Sequence, residues 1–147
     1  MIEILNVRNF KEENYDEAWL TVRAVKHSVA GAKHVPTLSP TWELFRRYRE
    51  LADSGQWNAQ SFAEVYVPEF IGEMYAYRRE TFPLLNELWK KDKNGKCIAL
   101  VCFCADEALC HRSILAGLLQ GAGCSVKTEH GTDYSIYYKM IKELQGK

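Results

Sequence analysis

Eight consecutive apolar residues, 97–104, stand out in the hydrophobic pattern of the chain. They do not alternate with polar residues, which favours a strand of a parallel sheet that is covered on both faces. A five-residue loop (105–109) follows, and apolar residues then recur at helical spacing from position 114 until Gly121. The pattern therefore predicts a buried strand, a short loop and a helix that begins near Cys110.

Strand and helix patterns continue on both sides of this unit. Further strands are predicted at residues 2–7, 18–25 and 124–128, and residues 28–39 form a long loop. Helices are predicted to begin at Ser39-Pro40, at Ser61 with Glu64 in a capping box, near Thr81 and after Thr132-Asp133. Pro68 is expected to break or kink the second helix. This order predicts an α/β fold: a single three-layer α/β/α domain over residues 1–147, with about four mostly parallel strands and helices on both faces.

Composition narrows the class of protein. The formal net charge is zero and the pI is near 6.9, so no overall positive field points to nucleic acid. No apolar run approaches the roughly 18 residues of a membrane span, and the first residues lack a signal-peptide pattern. The five cysteines are an odd number, which favours reduced thiols over a disulfide framework. We expect a cytoplasmic protein that does not bind membranes.

Cysteine and histidine flank the loop between the strand and the helix. On an extended strand Cys102 and Cys104 share a face, with Cys104 nearer the loop. A thiol at a helix start has its thiolate favoured, and a neighbouring imidazole can act as a base. We therefore predict Cys104, Cys110 and His111 as candidate catalytic residues. The structural alternatives are thiols that act as small hydrophobes and a histidine that bonds a loop carbonyl.

A second set of residues suits an anion. The backbone N–H groups of residues 110–113 could cradle a phosphate or carboxylate beside Arg112. Arg23, at the end of the second strand, would face the same edge of a parallel sheet. Asp106 could act on the substrate or cap the loop, and Arg112 could instead pair with Asp106 or Glu107. The candidate substrate- or anion-binding residues are Arg112, Ser113, Arg23 and Asp106.

Three further patterns each have a chemical and a structural interpretation. Cys102, Cys104, Cys110 and His111 lie within ten residues, but their spacing is not that of a standard zinc site, so we predict no metal and no cofactor. Aromatic residues recur between positions 42 and 77 and could stack on bases or fill the core. The basic cluster 46–49 is either a solvated helix face or a phosphate-contacting patch.

A strand that ends in Cys, an acidic loop and Cys-His-Arg at the start of a helix together resemble the signature of a family, the domain of unknown function 488 of bacterial, archaeal and phage proteins. Here the signature runs from Leu100 to Leu115. The middle of the chain is similar to one subgroup, with Leu-Ser-Pro-Thr at 38–41, Leu-Phe-Arg-Arg-Tyr at 44–48, then Trp57, Phe62 and Tyr66. The resemblance, which also includes Val22-Arg23, covers about residues 18–128. It implies a three-layer outline similar to nucleotide-binding folds and no particular reaction.

The function that we favour is that of an enzyme, a thiol-dependent hydrolase or transferase. It would act on a nucleotide, nucleoside or nucleic-acid-derived anion at a cleft lined by Cys, His and Arg, because an anion site beside aromatic residues suits such a ligand. The alternatives are a non-catalytic nucleotide- or anion-binding regulatory module, including a phage-related one, and a zinc- or iron-containing structural adaptor. A small anionic or nucleotide ligand is the expected partner, nucleic acid stays open, and the sequence does not fix the oligomeric state.

Overall fold

A parallel sheet forms the centre of the computed structural model, which describes residues 1–25 and 27–146. Its strands are β1 (Ile2–Asn6), β2 (Glu17–Leu20), β3 (Lys33–His34), β4 (Ile98–Cys102) and β5 (Val126–Lys127). Their order across the sheet is β3-β2-β4-β1-β5. Five strands stand where about four were expected. The additional strand, β3, lies within the predicted loop 28–39, and two residues are too few for a periodic pattern to reveal.

β4 occupies the middle of the sheet. It pairs with β1 on one side, where Asn6 lies opposite Cys102, and with β2 on the other, where Leu20 lies opposite Val101. Every residue of β4 is buried, as an unbroken apolar run predicts for a strand covered on both faces. Because these strands are parallel, their carboxyl ends meet at one edge of the sheet.

The described ranges contain six α-helices: α1 (Trp42–Asp53), α2 (Ala59–Ser61), α3 (Val67–Ala76), α4 (Arg78–Lys93), α5 (His111–Gly121) and α6 (Ile136–Gln145). A π-helical segment, Phe62–Tyr66, joins α2 to α3. Short 3-10 helices lie at Val7–Asn9, Glu12–Asn14, Pro36–Leu38 and Glu107–Leu109. Within residues 1–25 and 27–146, none of the helices has the length and apolar composition that crossing a membrane would require.

The two faces of the sheet bury different partners. One face, which includes Ile4 and Leu100, packs against buried residues of α1, α3, α4, α5 and α6. The other face, which includes Leu20 and Val101, is covered by the 3-10 segments before β2 and by the loop after it. The predicted α/β fold with three layers is confirmed, and the second outer layer is the thinner one.

The starts of α1 and α6 differ from the predicted ones, as does that of α4, which begins at Arg78 and not near Thr81. α1 is capped by Thr41 and not by Ser39, because the carboxylate of Glu73 accepts hydrogen bonds from both the N–H and the hydroxyl of Thr41 and fixes it there. α6 begins only after Ser135, since the Asp133 carboxylate accepts a bond from the Ser135 N–H and holds the chain in a turn. Side chains that are distant in sequence, such as Glu73, cannot be read from local capping patterns.

The expected distortion at Pro68 takes the form of the π-helical segment. The capping box joins Asn58 with Ser61, one turn earlier than the predicted pair of Ser61 with Glu64. Because helical structure begins this early, Pro68 lies inside a continuous helical segment. Proline lacks an N–H, and its ring would clash with a carbonyl of the preceding turn in a regular α-helix. The wider π turn ends at Tyr66, directly before α3. Such segments are frequent at functional sites.

Glycines allow α5 and α6 to approach each other closely. A Cβ atom at Gly117 would overlap the backbone carbonyl of Tyr134, and one at Gly121 would overlap the Tyr138 side chain. Ile141 of α6 and Tyr134, just before this helix, pack into the main core.

Candidate active site

The end of β4 and the start of α5 meet at the carboxyl edge of the sheet, where open α/β folds place their ligands. Cys102 is the last residue of β4, and Cys110 is the N-cap of α5. Asn6, at the end of β1, fixes the loop between them, because its side-chain amide donates to the Cys104 carbonyl oxygen at 2.7 Å. The strand, loop and helix predicted from the apolar pattern are confirmed.

Three sulfur atoms converge at this bend. The Sγ atoms of Cys102, Cys104 and Cys110 all lie within 4.8 Å of one another, and those of Cys102 and Cys110 are 3.2 Å apart. Arg112 reaches back from α5, and its Nη1 donates to Cys102 Sγ at 2.9 Å and to the Cys104 carbonyl oxygen at 2.7 Å. A guanidinium in contact with sulfur favours the thiolate. We call Cys102, Cys104 and Cys110 the sulfur cluster.

The three thiols have different affinities for protons. Hydrogen bonds from the Cys104 and Cys110 thiols, together with the Arg112 guanidinium, hold the pKa of Cys102 well below its usual range. The hydrogen bond with Cys102 raises the pKa of Cys104 to about 12. Burial and the same neighbour raise the pKa of Cys110 well above its ordinary value. Because like charges this close do not ionise together, at most one of the three thiols ionises, and the contact with Arg112 favours Cys102 for that role.

Three converging thiols are also a donor set that soft metal ions prefer. In this cluster, however, the guanidinium of Arg112 already bonds the Cys102 sulfur at 2.9 Å. A metal cation would have to share that sulfur with a fixed positive charge, which like-charge repulsion disfavours. We therefore interpret the sulfur cluster through thiol chemistry.

His111 is a buried, neutral imidazole. Its Nε2 lies 2.5 Å from the carbonyl oxygen of Thr21. Because a carbonyl only accepts, Nε2 carries the hydrogen and Nδ1 is the free acceptor. Nδ1 lies 3.6 Å from Cys110 Sγ, so the single S–H of Cys110 can donate either to Nδ1 or to Cys102 Sγ. Burial lowers the pKa of the imidazole. His111 therefore bonds a loop carbonyl, which the structural interpretation predicts, and it also lies beside a thiol, which the catalytic interpretation predicts.

We expect the protein to lose stability as the pH falls below about 6.5, the ordinary imidazole pKa. The pKa of His111 is lower in the folded state than in the unfolded state. The neutral imidazole therefore contributes fully to the free energy of unfolding above the unfolded-state pKa, and this contribution is lost as the pH falls toward the folded-state pKa. Urea unfolding between about pH 7.5 and pH 5 should show a smaller loss for His111→Gln than for wild type. His130→Gln, at a side chain that is 81% exposed, is the control. A His111→Gln profile identical to wild type would contradict the assignment.

A cleft of about 380 Å³ opens above the sulfur cluster, and Cys104, Cys110 and His111 line its floor. Its wall is aromatic and consists of Trp42, Phe45, Tyr48, Trp57, Tyr66 and Phe103. The rings of Tyr48 and Trp57 meet edge to face with centroids 4.7 Å apart. Trp42 is 52% exposed, whereas Tyr66 is buried, so the wall runs from the core to the surface. Some of the aromatic residues between positions 42 and 77 therefore fill the core, and others line the cleft.

Two arginines give the cleft positive charge. Arg23 and Arg49 both line it. The Nε of Arg23 donates to the Pro40 carbonyl at 2.8 Å, which holds the guanidinium at the rim. Arg47, in the same basic cluster as Arg49, instead pairs with Glu69. No carboxylate occurs among the described residues that line the cleft, so its field favours an anion.

Arg112 does not reach this cleft. It is 2% exposed, and its bonds go to Cys102 Sγ and the Cys104 carbonyl. Glu107, which the sequence offered as an ion-pair partner of Arg112, instead accepts hydrogen bonds from the Tyr134 hydroxyl and the backbone N–H of Glu129. The position of Arg112 suits control of a thiolate from behind the cleft.

Two other predicted anion-binding residues also have local partners. Ser113 is fully buried, and its hydroxyl donates to the Cys110 carbonyl at 2.8 Å. Asp106 is exposed and caps the 3-10 helix Glu107–Leu109 by accepting from the Ala108 N–H. The structure brings Cys104, Cys110, His111 and Arg23 to the cleft, and it leaves Arg112, Ser113 and Asp106 outside the lining.

Sequence reasoning did not assign a role to Asn6 or to Cys102. The signal for Asn6 was a polar residue at the carboxyl end of an apolar strand, next to a predicted site. The signal for Cys102 was weaker, because a thiol in a buried strand is usually a small hydrophobe. Only the fold brings Arg112 against it, across the loop that separates them.

Fold and site together define an α/β protein with a thiol-floored, aromatic-walled cleft at the carboxyl edge of a parallel sheet. A family model described as the active DUF488-N3 subclade matches residues 2–123. The chain belongs to this family, as the resemblance of the Cys-His-Arg signature predicted. Comparisons with curated proteins and with solved structures found no match.

Proposed function

We propose that this protein is a thiol-dependent enzyme that acts on a nucleotide, nucleoside or nucleic-acid-derived anion in the cleft. The observation that carries the proposal is that one cavity joins an aromatic wall, two arginines and two thiols beside an imidazole. Each part matches a different part of such a ligand. The description of the family subclade as active agrees with a catalytic role.

The aromatic wall supports binding of a planar base. Stacking of a base on an aromatic side chain contributes roughly 1–3 kcal/mol and accepts any base. Trp57 lies between Tyr48 and Tyr66, with ring centroids 4.7 and 5.4 Å away, so its ring is fixed before a ligand arrives. Burial raises the pKa of both Tyr48 and Tyr66, and their protonated hydroxyls can donate hydrogen bonds to ring atoms.

The charge of the cleft supports an anionic ligand. Arg23 and Arg49 are the guanidinium groups of the lining, and guanidinium groups bind phosphate oxygens in a bidentate manner. This role replaces the one expected for Arg112, whose bonds within the sulfur cluster remove it from the cleft.

The sulfur cluster supports nucleophilic catalysis by Cys104. Cys104 is half-buried and lines the cleft, whereas Cys102 is fully buried. In the proposed step the Cys102 thiolate accepts the proton of Cys104, and the Cys104 sulfur then forms a bond to the electrophilic atom of the substrate. The leaving group departs with its bonding electron pair. The proton moves to the less basic sulfur, so this form of the cluster is the minor one, but it places the charge on the cysteine that a substrate in the cleft can reach.

Ligand binding tests the proposal first. We expect nucleoside monophosphates at saturating concentration to raise the melting temperature by several degrees, since 100-fold excess over Kd corresponds to about 2.7 kcal/mol. Arg49→Ala and Trp57→Leu should each weaken binding about tenfold or more. Trp89→Leu and Arg79→Ala change surface residues on α4, outside the cleft lining, and should leave binding unchanged. Equal affinity in all four variants, or no stabilisation by any nucleotide, would contradict the proposal.

Turnover distinguishes an enzyme from the binding module that is the alternative. Cys104→Ser should keep the affinity of wild type but lose product formation, because a serine hydroxyl is a poor nucleophile without a strong base. Incubation of wild type with the stabilising nucleotide, followed by mass spectrometry of the ligand, measures this directly. A ligand recovered unchanged from wild type would favour the non-catalytic module.

A further inference from the structure

We propose that the sulfur cluster has a second activity, thiol–disulfide exchange with small disulfides. In this activity Cys104 reacts first from the cleft, and Cys102 and Cys110 end as a reversible disulfide. The inference needs only the geometry of the cluster and does not depend on the nucleotide ligand proposed above.

Distance supports the pairing of Cys102 with Cys110. Their Sγ atoms are 3.2 Å apart, whereas a disulfide bond is about 2.05 Å long. The two sulfurs therefore have to approach by only about 1.2 Å. Cys102 ends a strand and Cys110 caps a helix, and both elements can shift slightly at their ends.

Charge supports Cys102 as the sulfur that attacks the mixed disulfide on Cys104. Thiol–disulfide exchange proceeds by attack of a thiolate on a disulfide sulfur. Arg112 Nη1 bonds Cys102 Sγ at 2.9 Å, so the negative charge of the cluster lies on the sulfur that faces both other thiols. This contact gives the buried arginine a chemical role.

Access assigns the first reaction to Cys104. Cys102 and Cys110 are 0% and 1% exposed, so a disulfide in solvent cannot meet them directly. Cys104 is half-buried and lies on the floor of the cleft. The aromatic-walled cavity of about 380 Å³ above it can admit a small disulfide.

The exchange then balances in three steps. First, the Cys104 proton passes to the Cys102 sulfur, and the Cys104 thiolate attacks a small disulfide R–S–S–R. This attack forms the mixed disulfide Cys104–S–S–R and releases R–S⁻, and R–S⁻ takes up the proton from Cys102. The Cys102 thiolate attacks the Cys104 sulfur and expels the second R–S⁻, which takes up a proton from water. The Cys110 thiol gives its proton to His111 Nδ1, 3.6 Å away, and its thiolate attacks Cys102. This last step forms the Cys102–Cys110 disulfide and returns Cys104 as a thiolate, which recovers the proton from His111. One disulfide is reduced to two thiols while two cysteines are oxidised.

Glutathione disulfide, used as the probe, tests this sequence on the intact protein. We expect wild type to lose two hydrogens without retaining glutathione, and peptide mapping should find Cys102 joined to Cys110. Dithiothreitol should reverse the change. Cys102→Ala, which lacks the sulfur that accepts the Cys104 proton, should take up glutathione on Cys104 more slowly than wild type, and Cys104→Ser should react at least tenfold more slowly than wild type. Cys97→Ser and Cys124→Ser, which change thiols outside the cluster, should behave like wild type.

Three results would overturn the inference: a stable glutathione adduct on wild-type Cys104, a disulfide that involves Cys97 or Cys124, or no reaction. Equilibration of wild type alone in glutathione redox buffers guards against a variant that fails to fold. It should show one two-electron transition, with a tenfold change in the ratio of oxidised to reduced protein for each 29.6 mV or so. If nucleotides fail to bind but this transition occurs, only the proposed ligand is wrong. If nucleotides bind but the two-electron transition is missing, only the proposed exchange activity is wrong.

Discussion

Replacing Arg112 with alanine is expected to lower the free energy of unfolding by about 3 kcal/mol, near the lower end of the range for breaking a buried ion pair. The side chain is 2% exposed and holds both the Cys102 sulfur and the Cys104 carbonyl. Its removal leaves a buried thiolate without a partner. The thiolate can limit the loss by taking up a proton, which is why the lower end of the range applies.

Two measurements check this result at neutral pH. Urea unfolding gives the stability, and ultraviolet absorbance of the thiolate, which wild type should show and Arg112→Ala should lack, gives the charge on Cys102. Arg79→Ala, at an exposed arginine of α4, is the matched control and should change stability by less than about 0.5 kcal/mol. In a double-mutant cycle, Cys102→Ala should recover part of the loss from Arg112→Ala. Strictly additive effects would mean that the two side chains do not form an ion pair.

Gly117→Ala is expected to destabilise the protein by about 3 kcal/mol, at the upper end of the range for overpacking. The new Cβ would overlap the backbone carbonyl of Tyr134 and contact the Tyr137 ring. A carbonyl of the main chain cannot move aside as a flexible side chain can, so α6 has to shift away from α5. The thermal melting temperature should fall by about 6 to 12 °C, since 1 kcal/mol corresponds to about 2–4 °C in a chain of this size.

Gly72→Ala is the control that the same chain offers. Gly72 lies inside α3, and a Cβ there would meet nothing within 4 Å. The change should leave stability unchanged or raise it by up to about 1 kcal/mol, because alanine is the better helix former. If both substitutions shifted the melting temperature equally, the close approach of α5 and α6 would not be what Gly117 provides.

The central unit of the fold could be predicted because its signals are local. An unbroken apolar run bounded by turn signals is typical of a parallel strand buried on both faces, which indicates β4, and the apolar spacing after Cys110 indicates α5. β3 escaped prediction because it consists of two residues, Lys33 and His34, and two residues are too few to show a sequence pattern. The cap at Thr41 escaped because it depends on Glu73, 32 residues away.

The candidate site could be predicted in composition but not in orientation. Neighbouring positions in the sequence place Cys104, Cys110 and His111 at the bend, and that much follows from a strand followed by a helix. Whether Arg112 faces the cleft or the sulfurs depends on the helix's rotation against the sheet, which a stripe of apolar residues fixes only to within about one position. The cleft wall depends on α1 and the π-helical segment meeting beside the start of α5, and these parts of the chain are distant in sequence.

The position of β4 at the middle of the sheet has a consequence for how the chain folds. β1 and β2 do not pair with each other; both pair with β4, which is synthesised about 80 residues after β2. A nascent chain that has emerged only as far as α4 has both strands without their shared neighbour, and their apolar surfaces need protection until residue 102 leaves the ribosome. Pairings this distant in sequence slow folding. The partly synthesised chain, in which β1 and β2 have no β4 to pair with, is the state most prone to aggregate.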